Sequence, residues 1–165
     1  MSAPYATSAT PEQRALFNPA FISVLAHACA TGFLARAERG MPLPYFYLSL
    51  PIALHARDRQ VLPGTTGAYM SAWIRGNPEV LAGFPSRVRS LRAIISQGLV
   101  FSLRHQALAA ANDGLAPRPL RRRPKLLQPT EDWSGCVKAA SFMGRWLGSQ
   151  QTDTASTLAL WGLRP

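Results

Sequence analysis

Basic side chains are concentrated in one segment of this sequence, and they are the residues best suited to bind a charged partner. Nine of them lie between Arg87 and Lys125, where Asp113 is the single acid, so this segment carries +8 of the net charge of +10. The nine are Arg87, Arg89, Arg92, Arg104, Arg118, Arg121, Arg122, Arg123 and Lys125. Guanidinium groups form paired hydrogen bonds with phosphate and carboxylate groups. The set therefore predicts contact either with double-stranded DNA or with acidic residues of a protein, and both remain open.

Catalytic chemistry has little support in the sequence. The histidines at 27, 55 and 105 are far apart, and neither Cys29 nor Cys136 belongs to a CxxC pair or a Cys/His cluster. There is no phosphate-binding P-loop and no GxSxG nucleophile motif, and the acidic residues do not pair at spacings suited to two metal ions. We therefore expect a protein that is not an enzyme and needs no metal or cofactor.

The C-terminal segment offers residues of another kind. Trp146, Trp161, Leu163 and Arg164 fall in an apolar stretch that ends in TLALWGLRP. Tryptophan and arginine are frequent energetic anchors of protein interfaces, so these four residues are candidates for docking to a partner. The alternative is that the terminal helix packs onto its own domain, which would bury the tryptophans.

Helical signals position most of these residues. Asn18-Pro19 predicts the start of a first helix over 19–38, with Gly40 as its C-terminal signal. The apolar run over 42–55 fits either a buried strand or a buried helix kinked at Pro51, and its length favours the helix. In both cases it should be the most buried element.

The middle of the chain predicts shorter elements and then a long helix. An exposed turn is expected over 57–64, followed by a helix that Thr65 or Thr66 caps and Gly76 ends. Asn77-Pro78 starts a helical pattern that runs to about 105 with an interruption at Phe84-Pro85. Asn112-Asp113-Gly114 lies between two short apolar pieces, which predicts a β-hairpin. After a proline-rich stretch, helices are expected over 132–148 and 155–161.

This order predicts a mainly α fold, with a winged helix-turn-helix-like domain, a small β-hairpin wing and C-terminal helices. We divide the chain into a flexible N-terminal arm (1–17), the winged-helix-like helical domain (18–116), a Pro/Arg-rich linker (117–130) and a C-terminal helical docking segment (131–165). Hydrophobic residues make up 47% of the chain, which excludes a disordered polycation, whereas only 16% are charged. Such sparse charge favours a surface that a partner protein covers.

Membrane insertion is not expected. The N-terminus has no basic region followed by an apolar region, which a signal peptide requires. The most apolar windows, 21–34 and 43–54, are shorter than the roughly 20 residues needed to cross a bilayer. We therefore expect a cytoplasmic protein.

Several segments together resemble a known family. They are FNPAF at 17–21, MPLPYFYLSLPIALH at 41–55, RGNPEVLAGF at 75–84, RVRSLRAIISQGLVFSLRHQAL at 87–108 and FMGRWLGSQQTDTASTLALWGLRP at 142–165. This combination is similar to the middle components of three-component ABC systems, the group that includes Lamassu-type bacterial defence operons. The sequence departs from the family pattern at Pro85 and over the Pro/Arg-rich 117–125.

The resemblance implies a non-catalytic adapter. Such a subunit bridges an SMC-like or ABC-type ATPase and an effector, often a nuclease, in antiphage or antiplasmid defence. Contact with DNA through the basic segment is compatible with that role. The alternative function is a free-standing winged-helix transcriptional regulator that binds DNA without partners.

Overall fold

Residues 18–120 and 129–164 are described by a computed structural model, and most of them are helical. The elements in chain order are α1 (Pro19–Ala37), α2 (Leu43–Leu54), α3 (Ala56–Gln60), α4 (Met70–Gly76), α5 (Pro78–Leu81), α6 (Phe84–Arg104), β1 (Leu108–Ala111), β2 (Gly114–Pro117), α7 (Glu131–Ser149) and α8 (Thr154–Leu160). The mainly α prediction is confirmed. The predicted arm over 1–17 and residues 121–128 of the predicted linker lie outside the described residues.

The first helix begins as its sequence predicts but ends by a different residue. Asn18 Oδ1 accepts a hydrogen bond from the backbone N–H of Ala20 at 2.9 Å, and Pro19 occupies the first turn. At the other end, Glu38 takes the left-handed conformation with φ of 54°, and its N–H bonds the carbonyl of Leu34. The predicted bounds of 19–38 are therefore confirmed to within one residue, although Glu38 and not Gly40 adopts the left-handed conformation at the C-terminus. Gly40 is instead buried against the hairpin, where a side chain would press on Ala111.

The apolar run over 42–55 is the buried helix α2. All of its residues from 45 to 53 are buried except Tyr47, and Pro51 lies inside the helix. Strand geometry is thus excluded, and the predicted helix is confirmed. Burial on nearly all sides explains why the run shows no polar face.

Two predictions for the region between α2 and α6 are wrong. The expected exposed turn at 57–59 is the short helix α3, in which Asp58 is buried. The expected cap at Thr65 or Thr66 does not start a helix, because α4 begins at Met70 and has no side-chain cap.

The expected interruption at Phe84-Pro85 lies two residues earlier. Gly83 adopts a φ of 73°, and α6 then starts with Pro85 in its first turn. Proline fits this position because the N–H groups of a first turn have no partner inside the helix. α6 therefore continues unbroken from Phe84 to Arg104.

The predicted hairpin is confirmed. β1 and β2 pair antiparallel with Leu108 opposite Pro117 and Ala111 opposite Gly114, which leaves Asn112 and Asp113 as a two-residue turn. A further bridge joins Met41 to Leu115, with backbone hydrogen bonds of 2.8 and 2.9 Å. The hairpin is thereby tied to the segment between α1 and α2.

Helix α1 lies at the centre of the core, between α6 and α7. Against α6, Gly98 provides space for Ile22, and the hydroxyl of Ser102 donates to that of Ser23 at 2.8 Å in a fully buried contact. Against α7, close approach depends on small residues, since Gly144 faces the backbone of Cys29. The first helix is thus enclosed on two sides.

The C-terminal helices share this core. Thr130 caps α7 by accepting from Trp133 N, and Asp153 caps α8 by accepting from Ser156 N. Both helices lie within one residue of their predicted boundaries. Trp146 and Trp161 are fully buried, and they join α7 and α8 to the residues of α1 and α2 in one hydrophobic cluster.

One described helix is long and apolar enough to cross a membrane. It is α1, with 19 residues and a mean hydropathy of 1.4 over its most apolar window. The sequence estimate for this region, 21–34, was too short because the helix includes residues at both ends. Half of the window is buried by other helices, as is typical of a central core helix.

Candidate functional site

The first half of α6 forms one wall of an open cleft of about 820 Å³. Pro85, Val88, Arg89 and Arg92 recur at helical spacing and therefore project from one face of α6. The first turn of α2 and the end of the chain supply the other walls. We call this the arginine-rimmed cleft, lined by Leu43, Pro44, Tyr47, Pro85, Val88, Arg89, Arg92, Leu158, Gly162, Leu163 and Arg164.

A tight turn after α8 brings the chain end to this cleft. Gly162 has a φ of 68°, in the left-handed region that glycine adopts readily. Its N–H donates to Ala159 O, and the N–H of Leu163 donates to Leu158 O, both at 3.0 Å. This is a Schellman motif, in which the residues on either side of the turn also make an apolar contact. Leu163 and Arg164 are thereby positioned beside α6.

The floor of the cleft is apolar and open. Leu43 is 48% exposed although it lies in the first turn of the most buried helix. Beside it, the hydroxyls of Tyr47 and Ser96 are hydrogen bonded at 2.7 Å, which fixes the tyrosine ring against α6. The floor therefore offers apolar surface that a partner could bury.

Three guanidinium groups surround this floor. Arg89, Arg92 and Arg164 are exposed, and no acidic residue lines the cleft among the residues that the structure describes. Within that part of the chain none of the three forms an ion pair. The cleft combines an apolar floor with a positive rim, which suits a ligand that has both apolar groups and negative charge.

The structure thus brings together residues from two sets that the sequence kept apart. Arg89 and Arg92 come from the basic set, whereas Leu163 and Arg164 come from the docking set. Sequence reasoning missed Leu43, whose only signal is an apolar residue exposed at a helix start. The other two docking candidates, Trp146 and Trp161, are not in the cleft. Both have no exposed surface, so the alternative interpretation, packing within the domain, describes them.

The remaining basic residues take other positions. Arg87 turns inward, and its Nη1 donates to the buried carboxylate of Asp58. Arg104 ends α6, about 18 Å along the helix from Arg92 at 1.5 Å per residue, and Arg118 follows β2, so both lie near the hairpin. Arg121, Arg122, Arg123 and Lys125 lie outside the described residues.

A second cleft, of about 880 Å³, lies between α3 and α7, and both acidic and basic residues line it. Arg59 donates to Ala53 O at 2.9 Å and to Cys136 Sγ at 3.2 Å, and it forms an ion pair with Asp132. Glu131 and Lys138 are also present. Because Arg59 already pairs with Asp132 in this cleft, its charge calls less for a charged ligand than that of the arginine-rimmed cleft does.

No group of three metal-ligating side chains occurs in residues 18–120 and 129–164. The three histidines there have separate contacts. His27 Nε2 donates to the Arg118 carbonyl at 2.8 Å, His55 Nδ1 lies 2.9 Å from Asp58, and the ring of His105 packs on Phe101. The histidines contact nearby protein groups and do not converge on one site.

Both cysteines are buried, as expected of small core residues. Burial raises the pKa of the Cys29 thiol from 9.0 to about 12, and burial also raises the pKa of Cys136, although Arg59 opposes that rise. Thiols with raised pKa are poor nucleophiles at neutral pH.

The pKa of Cys29 predicts an alkaline loss of stability. Above pH 9.0 the thiol ionises in the unfolded chain but stays protonated in the native protein, so the unfolded state binds fewer protons. The contribution is complete below pH 9.0 and declines toward about pH 12. Urea unfolding should show the stability gap between wild type and Cys29→Ala falling by about 1.4 kcal/mol per pH unit in this window. A gap that does not change with pH would contradict the burial of this thiol.

The Asp58 ion pair predicts a stability effect near neutral pH. Asp58→Asn leaves the guanidinium of Arg87 without its carboxylate, so we expect the free energy of unfolding to fall by about 2 kcal/mol. Asp113→Asn, in the exposed hairpin turn, should change it by less than about 0.5 kcal/mol. Denaturant titration of the two variants measures the difference, and equal stabilities would refute a structural role for the pair.

A family model matches this chain over most of its length. The family model of the ABC-three component (ABC-3C) system Middle Component 3 matches residues 6–165. No curated protein and no solved structure matches the chain. Every residue that lines the arginine-rimmed cleft lies within the matched region.

Proposed function

This chain belongs to the middle components of ABC-three component systems, and from that premise we propose that it is a non-catalytic adapter in a bacterial defence complex. The adapter bridges an SMC-like or ABC-type ATPase and an effector of the nuclease type, and it acts in the cytoplasm against phage or plasmid DNA. The family match over residues 6–165 is the observation that carries this proposal.

Features of the surface support an adapter. The arginine-rimmed cleft offers an apolar floor surrounded by arginines that form no ion pair with the described residues, and the hairpin end of α6 presents Arg104 and Arg118 separately. A chain that bridges two subunits needs two distinct surfaces. These two regions lie toward opposite ends of α6, far enough apart for separate partners.

Co-purification tests the bridging role. The ATPase, with an affinity tag, is co-expressed with the effector and with or without this chain. We expect the tagged ATPase to retain the effector only when the chain is present. Equal retention without the chain, or an adapter that binds neither subunit, would contradict the proposal.

A DNA contact through the hairpin end is the second part of the proposal. The long helix α6 leads directly into the β1–β2 hairpin, as the last helix of a winged helix leads into its wing, and the isolated bridge between Met41 and Leu115 places a third chain segment beside the hairpin. In this arrangement α6 and the hairpin approach DNA together. Arg104 and Arg118 would contact phosphates, with Arg121, Arg122, Arg123 and Lys125 extending the basic surface.

Salt dependence tests this contact and also the alternative of a free-standing regulator. Fluorescence anisotropy of duplex DNA should show that Arg104→Ala with Arg118→Ala reduces the slope of log K against log salt by about 2. The exposed pair Arg57→Ala with Arg75→Ala serves as control. Identical slopes for both pairs would contradict phosphate contact at the hairpin end. Tight, sequence-specific binding by the chain alone would instead favour the regulator.

A further inference from the structure

The α6 wall of the arginine-rimmed cleft is long enough to contact two turns of a bound helix. The face of α6 from Pro85 to Arg92 spans about 10 Å, or two helical turns, at 1.5 Å per residue. Grooves of this kind bind an amphipathic helix whose apolar residues recur at i, i+3 or i+4 and i+7. The half-exposed Leu43 and the apolar side chain of Val88 are positioned to receive such residues.

The positive charge around the cleft limits which helical segments of a partner can bind there. Arg89, Arg92 and Arg164 surround the floor, and no carboxylate lines the cleft in residues 18–120 and 129–164. Carboxylates beside the apolar residues of a partner helix could form paired hydrogen bonds with these guanidinium groups. The partner segment should therefore be acidic as well as amphipathic.

Two other occupants fit less well. Duplex DNA would satisfy the arginines, but its phosphates and sugars would leave the apolar floor around Leu43 unfilled. A second copy of this chain, packed about a twofold axis, would bring the same patch against itself and place arginines opposite arginines. Such like-charge contact opposes association.

We propose that the arginine-rimmed cleft docks an acidic amphipathic helix of a partner protein. The inference rests on the proposed adapter function and adds the location and the chemistry of one of its interfaces. Apolar residues of the partner helix fill the floor, and its carboxylates pair with Arg89, Arg92 and Arg164. The Schellman turn at Gly162 holds the third arginine in place.

Charge reversal tests the rim. Arg89→Glu with Arg92→Glu should weaken capture of the co-expressed ATPase or effector by about 10- to 100-fold. Arg57→Glu with Arg75→Glu makes the same change in net charge at exposed positions that do not line the cleft. It should reduce capture by less than about threefold. Circular dichroism melting curves establish that both variants are folded.

Photo-crosslinking identifies the occupant in the same co-expressed complex. Leu43 is replaced by p-benzoyl-L-phenylalanine, and Leu34, which is also exposed but lies on α1, is replaced as control. We expect only position 43 to crosslink to one segment of the ATPase or effector, with Asp or Glu beside apolar residues at helical spacing. Lysine substitution of those acids should restore capture by the charge-reversed variant.

Other outcomes would overturn the inference. A crosslink from position 43 to duplex DNA, to a second copy or to a segment without acids excludes the proposed occupant, and so does the absence of any crosslink. Equal capture by the two charge-reversed variants excludes the rim. In each of these cases the adapter function stands if the wild type still retains both subunits. Failure of the wild type to bind either subunit contradicts the adapter function together with the inference.

Discussion

Trp161→Ala is expected to lower the free energy of unfolding by about 4 kcal/mol, because it removes a large side chain from a closely packed core. Trp161 has no exposed surface. Its ring lies 5.2 Å from that of Phe84 and 5.9 Å from that of Trp73, and its Nε1 donates to Met70 Sδ at 3.1 Å.

Leu160→Ala is the matched control for this prediction. Leu160 is the last residue of α8, directly before Trp161, and is 37% exposed, so we expect its change to cost less than about 1 kcal/mol. Urea unfolding followed by tryptophan fluorescence and circular dichroism compares the two. If Trp161→Ala were as stable as Leu160→Ala but failed to bind the ATPase or effector, Trp161 would be a docking residue, which is one of the two interpretations that the sequence allows.

Gly144→Ala is expected to lower the free energy of unfolding by about 3 kcal/mol, because a methyl group has no space between α1 and α7. A Cβ at this position would overlap the carbonyl oxygen of Cys29 and lie 2.9 Å from the backbone nitrogen of Phe33. Backbone atoms cannot rotate away as a side chain can. The two helices would have to separate, which would loosen the central contact of the core.

Gly135→Ala provides the control on the same helix. A Cβ there would meet only the Arg59 side chain, at an ordinary contact distance of 3.6 Å. Alanine also favours the helical conformation over glycine, so we expect a gain of about 0.5 to 1 kcal/mol. Denaturant unfolding should therefore move the two variants in opposite directions. A stable Gly144→Ala protein would show that the helices pack less closely than the structure indicates.

Local signals in the sequence were sufficient to predict many elements. Asn18 and Asp153 act as helix caps within their own first turns, and Asn112 and Asp113 form the hairpin turn between short apolar strands. These outcomes depend on residues a few positions apart. The few residues around each cap or turn therefore determine most of its conformation.

A distant contact explains one of the wrong sequence predictions, and a local backbone conformation explains another. Asp58 looked exposed because two arginines flank it, but it is buried by pairing with Arg87 from another helix. Pro85 looked like an interruption, whereas the positive φ of Gly83 already ends the preceding helix and leaves Pro85 in a favourable first turn.

The candidate site could be predicted only in part. Its arginines and Leu163 were recognised by residue type, but their meeting depends on how α2, α6 and the turn at Gly162 pack together. Leu43 and Arg164 are more than a hundred residues apart in the chain, so no local pattern relates them. The burial of Trp161 has the same origin, since its neighbours come from α4 and α6.

The bridging role is tested most directly by measuring how this chain affects the association of its two partners. The effector is immobilised on a biosensor, and the ATPase is applied with increasing amounts of the chain. A bridging adapter predicts that ATPase binding first rises and then falls, because excess adapter occupies the two partners separately. ATPase binding that is the same at every concentration of the chain would contradict the account.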